Sequence, residues 1–117
     1  MAYLLLVIEP VDQRMSRTAE EGQQAYAQMV DFAEKLRNDG VLEAVESLTS
    51  LNDAARVSNI KGDTRVVDGP FAEAKEMIGG FFLLNVETRE EAVAIAAACP
   101  AAQWCTIEVR KIGPCYF

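Results

Sequence analysis

The chain has 117 residues, half of them apolar and a quarter charged; that is the composition of one globular domain with one core, and it excludes a disordered segment or a second catalytic domain. Eleven basic against eighteen acidic side chains leave a net charge of −7, so phosphate backbones and anionic membranes exert no general attraction on it, and no nucleic-acid partner is expected. Histidine is absent, which removes imidazole bases, imidazole metal ligands and histidine pH switches.

Tyr3 to Ile8 is a short continuous apolar run stopped by Glu9-Pro10, and its length favours a buried strand over a helix or a membrane span. It lacks the basic flank of a signal peptide, so the expectation is a cytoplasmic protein with no membrane association. Thr18 and Glu21 then have the spacing of a capping box. Ala25, Met29, Phe32, Ala33 and Leu36 recur at helical intervals until Asn38-Asp39-Gly40 supplies a stop, giving a helix of about five turns.

Val41 to Leu48 reads as a second, less apolar strand. Arg56 to Ile60 and Thr64 to Val67, joined by Lys61-Gly62-Asp63, carry the signature of a hairpin. Asp68-Gly69-Pro70-Phe71 breaks it, and Ala72 to Ile78 is expected to form a short helix or an ordered loop ending at Gly79-Gly80. Phe81 to Val86 is a second continuous apolar run. Thr88 and Glu91 repeat the capping spacing before a helix lined by Ala92, Val93, Ile95, Ala96 and Cys99 and closed by Pro100. From Trp104 to Lys111 the pattern alternates, with Cys105, Ile107 and Val109 on one side and Thr106, Glu108 and Arg110 on the other, as in a half-exposed strand.

Two strand-helix-strand units therefore bracket an insertion from about Ser50 to Gly80. This is the α+β, ferredoxin-like split βαβ plan with a central hairpin insertion, in a single domain over residues 1–117. It places the first and third main strands, the two runs apolar on both faces, in the middle of the sheet. Two helices cover one face only. Leu4, Leu6 and Ile8 point away from Tyr3, Leu5 and Val7, so the uncovered face is expected to pack against a twin copy in a homodimer.

The chemistry-bearing candidates gather around the hairpin exit. Gly69 and Pro70 would hold Asp68 at a corner where a strand becomes a short helix, with Lys75 and Glu76 one or two turns on. Two readings stand: a carboxylate-ammonium-carboxylate cluster in which Asp68 acts as a catalytic base or ligand clamp, or Asp68 capping the short helix with Lys75 a solvated charge. The Glu9-to-Arg14 loop should fall near Gly79-Gly80, as a pocket rim or as a bare surface loop. Gly79-Gly80 precedes a strand and so is no phosphate cradle, leaving a close-packing role. Trp104 and Phe71 are read either as cavity lining or as core and dimer contacts. Cys99 and Cys105 read as small core hydrophobes and Cys115 as an exposed thiol; three cysteines at these spacings make neither a disulfide framework nor a zinc site. No metal and no cofactor is implied.

The stretch Asp68-Gly69-Pro70-Phe71-Ala72-Glu73-Ala74-Lys75-Glu76, followed by Gly79-Gly80-Phe81, closely resembles the signature of the YCII-related, or DGPF-domain, family. The likeness extends to Tyr3-Leu4-Leu5-Leu6, to Leu36 through Leu42, and to Cys99-Pro100-Ala101-Ala102. It implies a dimeric α+β barrel built from ferredoxin-like protomers, of largely undefined activity, with members often encoded beside extracytoplasmic-function sigma factors. In the better-studied branch a histidine-aspartate pair is the proposed active site, its aspartate matched here by Asp68, but this chain has no histidine to complete the pair. Three functional expectations follow: a small-molecule site involving Asp68 as the catalytic residue and Phe71, Lys75, Glu76, Gly79 and Gly80 as ligand contacts, with lyase, isomerase or hydrolase chemistry; a non-catalytic partner of a sigma factor; or a homodimer that binds a small molecule without turning it over.

Overall fold

A computed structural model describes residues 2–116. Along the chain run β1 (Tyr3–Pro10), α1 (Ala19–Asn38), β2 (Leu42–Ser47), β3 (Ala55–Ile60), β4 (Asp63–Asp68), β5 (Glu76–Leu84), α2 (Arg89–Ala98) and β6 (Thr106–Lys111). Short 3₁₀ turns at Arg14–Ser16, Leu51–Asp53 and Pro100–Gln103 connect them. The main sheet is antiparallel in the order β2-β5-β1-β6, which is the split βαβ arrangement, with the two doubly apolar strands in the centre.

Both helices start where the caps predict. Thr18 Oγ1 accepts from the Glu21 amide at 3.1 Å and the Glu21 carboxylate accepts from the Thr18 amide at 2.9 Å, so two of the orphan donors of the first turn are satisfied reciprocally. At α2 the Thr88 hydroxyl accepts from the Glu91 amide and donates to its carboxylate. Pro100 then begins a 3₁₀ turn that brings Trp104 back to the sheet.

Burial alternates along β1 and singles out Tyr3, Leu5, Val7 and Glu9 as the covered face. Leu5 and Leu84 are fully buried, each worth about 2 kcal/mol of apolar transfer. Phe32 of α1 meets Phe82 edge-on, with ring centroids 5.6 Å apart. From α2, Ala92 and Ala96 complete the same core, as does Cys99 just after it. The opposite face carries Leu4, Leu6, Ile8, Phe81 and Leu83, all half-buried, and the more exposed Ile78. Among the described residues no helix lies over it.

One segment departs from the sequence reading. Ala72 to Ile78 forms no helix: an ordered turn runs to Lys75, and Glu76–Leu84 is one strand with Gly79 and Gly80 inside it. A two-turn helix is too short to persist unaided, whereas Glu76, Met77 and Ile78 gain a ladder against Pro10, Glu9 and Ile8. The register skips Gly79, which forms a bulge opposite the Val7/Ile8 step. The insertion, in turn, neither closes over the main sheet nor extends it. β3 and β4 pair only with each other, and every residue of both strands is exposed. That arm gives the molecule a flat outline of 46 × 42 × 18 Å and a radius of gyration of 16.0 Å, where a compact chain of this length would have about 13 Å.

Candidate functional site

The residues singled out around the hairpin exit are spread over three places. Asp68 is the last residue of β4 and is exposed; with no helix following it, it caps nothing. Lys75 is exposed, and its carbonyl accepts from the Val11 amide at 3.0 Å. Among the described residues no ion pair joins Asp68, Lys75 and Glu76, and neither Asp68 nor Lys75 lines either of the two cavities described below. Phe71 is buried under the guanidinium of Arg56, 3.8 Å from the ring centroid. With Glu76, Leu51, Ile8 and Ile78 it borders a hollow of about 380 Å³ at the root of the arm. Gly79 and Gly80 lie elsewhere, in the floor of a larger cleft.

That cleft, of about 590 Å³, opens between α1 and the covered face of the sheet. It exists because α1 touches the core only in its second half. Phe32, Ala33 and Leu36 are buried; Met29 is half-buried, with its Sδ 3.8 Å from the core thiol of Cys99, and forms the roof together with half-buried Ala25 and the exposed Tyr26 and Val30. Gly22 sits in the same roof. A side chain there would meet no atom within 4 Å, so neither backbone conformation nor packing demands glycine. A helix-interior glycine costs about 1 kcal/mol relative to alanine, and what this one provides is space. The floor is Val7, Val45, Gly80 and Phe82, and the inner wall is Trp104 with Ala101 and Cys105.

At the inner end the Glu9-to-Arg14 loop forms a wall and is not a bare surface loop. Glu9 is the one buried charged residue among those described. Arg14 holds its carboxylate with two hydrogen bonds, from Nη2 to Oε1 at 2.7 Å and from Nε to Oε2 at 3.2 Å, the forked geometry that suits a guanidinium. Gly79 makes room for this pair, since a Cβ on it would overlap Glu9 Oε1 and lie 3.0 Å from Arg14 Nη2. Gly80 is fixed from the other side, where a Cβ would come within 2.8 Å of the Glu46 carbonyl oxygen. The two glycines thus have the close-packing role that their position before a strand suggested.

Gln13 donates from Nε2 to the Trp104 carbonyl at 2.6 Å, and its Oε1 is buried without a partner. Arg17 lies over the Trp104 ring, 5.7 Å from its centroid. The Cys105 thiol donates to the Ala101 carbonyl; burial, and then the charge of Glu9, pushes it up to about 11, so it stays protonated at neutral pH. Burial likewise raises the Cys99 thiol, and Cys115 is exposed. The inner end therefore offers fixed hydrogen-bonding groups and a cation but no free base: Arg14 occupies the Glu9 carboxylate, and Cys105 keeps its proton. No cluster of ligands suited to a metal ion occurs among the described residues.

Sequence reasoning named Gly79, Gly80 and Trp104 and allowed the loop a place at a rim, but did not single out Gln13, Arg14, Arg17 or Gly22. The signal for Gly22 was present, as a glycine inside a strongly periodic helix. No pattern points to Gln13, whose partner Trp104 lies 91 positions away.

Comparison with known proteins gives a consistent result. A family model described as the YCII-related domain matches residues 1–115. An uncharacterised protein of Rhizobium meliloti (strain 1021) is 30% identical over 96 residues, covering 82% of this chain and 77% of that protein.

Proposed function

The chain belongs to the YCII-related domain family, and from that premise we propose that it is a homodimeric protein that binds a small organic molecule in the cleft between α1 and the sheet. One observation carries the binding reading: a cleft whose floor and inner wall are apolar, Val7, Val45, Phe82, Ala101 and Trp104, holds at its inner end a fixed set of polar groups, the Glu9–Arg14 ion pair and the Gln13 amide tied to the Trp104 carbonyl. Apolar walls with a few fixed polar groups are the make-up of small-molecule sites. The volume, about 590 Å³, is in the range of small-molecule sites. The absence of a free base at the inner end favours binding over turnover.

The dimer is supported by the second sheet face, where Leu4, Leu6, Phe81 and Leu83 form one apolar strip of the kind that marks an interface. A face-to-face pairing of two such sheets is the dimeric α+β barrel that the family resemblance implies.

Two measurements test this. Sedimentation at micromolar concentration is expected to give a dimer for the natural chain and a monomer for Leu6→Asp; a natural chain that sediments as a monomer removes the dimer. Titration with anilinonaphthalenesulfonate, followed by Trp104 emission, is expected to saturate for the natural chain and to fail for Gly22→Phe, whose ring fills the cleft. Equal binding by both would move the site elsewhere.

A further inference from the structure

Building on the homodimer reading, we propose that the β3–β4 arm is a clasp: the tip of each copy's arm, led by Ile60, seats in the hollow at the root of the other copy's arm. A hairpin of two six-residue strands is marginal at best when it stands alone in water, and this one pairs with no other strand and is exposed throughout. Its root is nevertheless fixed. The Gly69 amide donates to the Ala54 carbonyl at 2.7 Å, and a Cβ on Gly69 would overlap the Leu51 carbonyl oxygen, so the arm leaves the body pressed against the Leu51–Asp53 turn. Phe71, buried under Arg56, closes the same corner. An arm held this firmly, which no other element among the described residues covers, is aimed at a second surface.

That surface is a second copy, because the arm is complementary to itself. Residues opposite each other in the ladder share a face and successive residues alternate, so the register puts Val67, Arg65 and Ile60 on the face that Arg56 presents to the hollow. The hollow, about 380 Å³ between Leu51, Phe71, Met77, Ile8 and Ile78, has room for an isoleucine side chain. Ile60 is 70% exposed and sits four residues on from Arg56, a reach of about 13 Å along a strand. A two-fold contact brings unlike points of one patch together reciprocally, and two arms lying antiparallel across the dyad do this, each tip over the other root. The charges match in the same sense. At the tip Lys61, Asp63 and Arg65 leave one net positive charge, while around the root Asp53, Asp68, Glu73 and Glu76 outnumber Arg56 and Lys75 by two, all of them exposed. Ile8 and Ile78 also belong to the uncovered face of the main sheet, so the clasp continues the apolar strip of the proposed dimer contact. Val57 and Val66, opposite each other on the arm's other face, are the cross-strand pair that supports the ladder itself.

Oxidative cross-linking tests the clasp in the full chain, with Cys115→Ser removing the exposed native thiol. Two singly substituted chains, Ile60→Cys at the tip and Leu51→Cys at the root, would be co-expressed with different tags and oxidised. A cross-linked heterodimer is expected from the pair and no cross-linked dimer from either chain alone, because tip meets root and not its like. Ile60→Asp should raise the dimer dissociation constant measured by sedimentation at least about tenfold, the loss that goes with one buried isoleucine, with an unchanged circular dichroism spectrum. In a chain that sediments as a dimer, failure of the pair to cross-link above either chain alone, or an unchanged dissociation constant for Ile60→Asp, would overturn the clasp and leave the dimer standing, with the arm open to a partner other than a second copy. A natural chain that sediments as a monomer removes both.

Discussion

Replacing Gly79 by alanine tests whether the buried ion pair is an organising element of the cleft. The new Cβ would overlap Glu9 Oε1 and lie 2.8 Å from Glu9 Cδ, well inside the contact distance of about 3.5 Å for carbon atoms. The carboxylate must therefore leave its place and give up both hydrogen bonds to Arg14. Breaking a fully buried pair costs about 3–5 kcal/mol, but the Arg14 side chain is 33% exposed and water takes up part of its charge, which brings the loss to about 2–3 kcal/mol. Alanine restricts the unfolded chain and returns about 0.5–1 kcal/mol, leaving a net destabilisation of about 2 kcal/mol. Urea unfolding followed by far-ultraviolet circular dichroism should show the midpoint falling by about 1–2 M. In a Glu9→Ala background only the end of the flexible Arg14 side chain, 3.0 Å from the new Cβ, has to give way, and the same substitution should cost less than about 0.5 kcal/mol. An unchanged midpoint for Gly79→Ala, or an equal loss in both backgrounds, would refute the reasoning.

Thr18→Ala removes the hydroxyl of the α1 cap and should lower stability by about 1 kcal/mol near neutral pH. The Thr18 amide, then its hydroxyl, hold the Glu21 carboxyl below its ordinary 4.5. A depressed folded value gives stability that is present above the unfolded pKa and lost as pH falls through the folded one; melting temperatures at pH 6 and pH 3 should therefore differ less in the variant than in the natural chain. Treatment with a thiol reagent at pH 8 should modify one cysteine quickly, the exposed Cys115, and Cys115→Ser should remove that phase. A second fast phase would contradict the protonated, shielded state assigned to Cys105. Because the folded chain keeps the Cys105 proton up to about 11 while the unfolded chain releases it near 8.5, stability should decline as pH rises between those values.

The fold was legible where one physical constraint dominated. Tyr3 to Ile8 and Phe81 to Val86 are apolar on both faces, as central strands require, and that burial agreed with the strand order the split βαβ plan sets. The start of β5 was hidden because Gly79 and Gly80 read as punctuation, whereas here they admit the Glu9 carboxylate and the Glu46 backbone. The site was less legible. The Asp68-Gly69-Pro70-Phe71 motif drew attention to a corner whose aspartate is exposed, while the residues that meet in the cleft come from a loop, a 3₁₀ turn and a connection far along the chain. Periodicity put Ala25 on the same helix face as Phe32 and Leu36, but it carries no information on where that face stops touching the sheet and begins to roof a cleft.

The protruding β3–β4 arm has a thermodynamic consequence. Its strands are exposed along their whole length, and their tip turns through Lys61 and Gly62 at positive φ. Heat capacity rises on unfolding mainly because buried apolar surface becomes hydrated, and in an isolated protomer the arm has almost none to expose. Calorimetry on a monomeric form would therefore register a smaller increment than a chain of this length normally gives, as though the arm were not part of the melting unit.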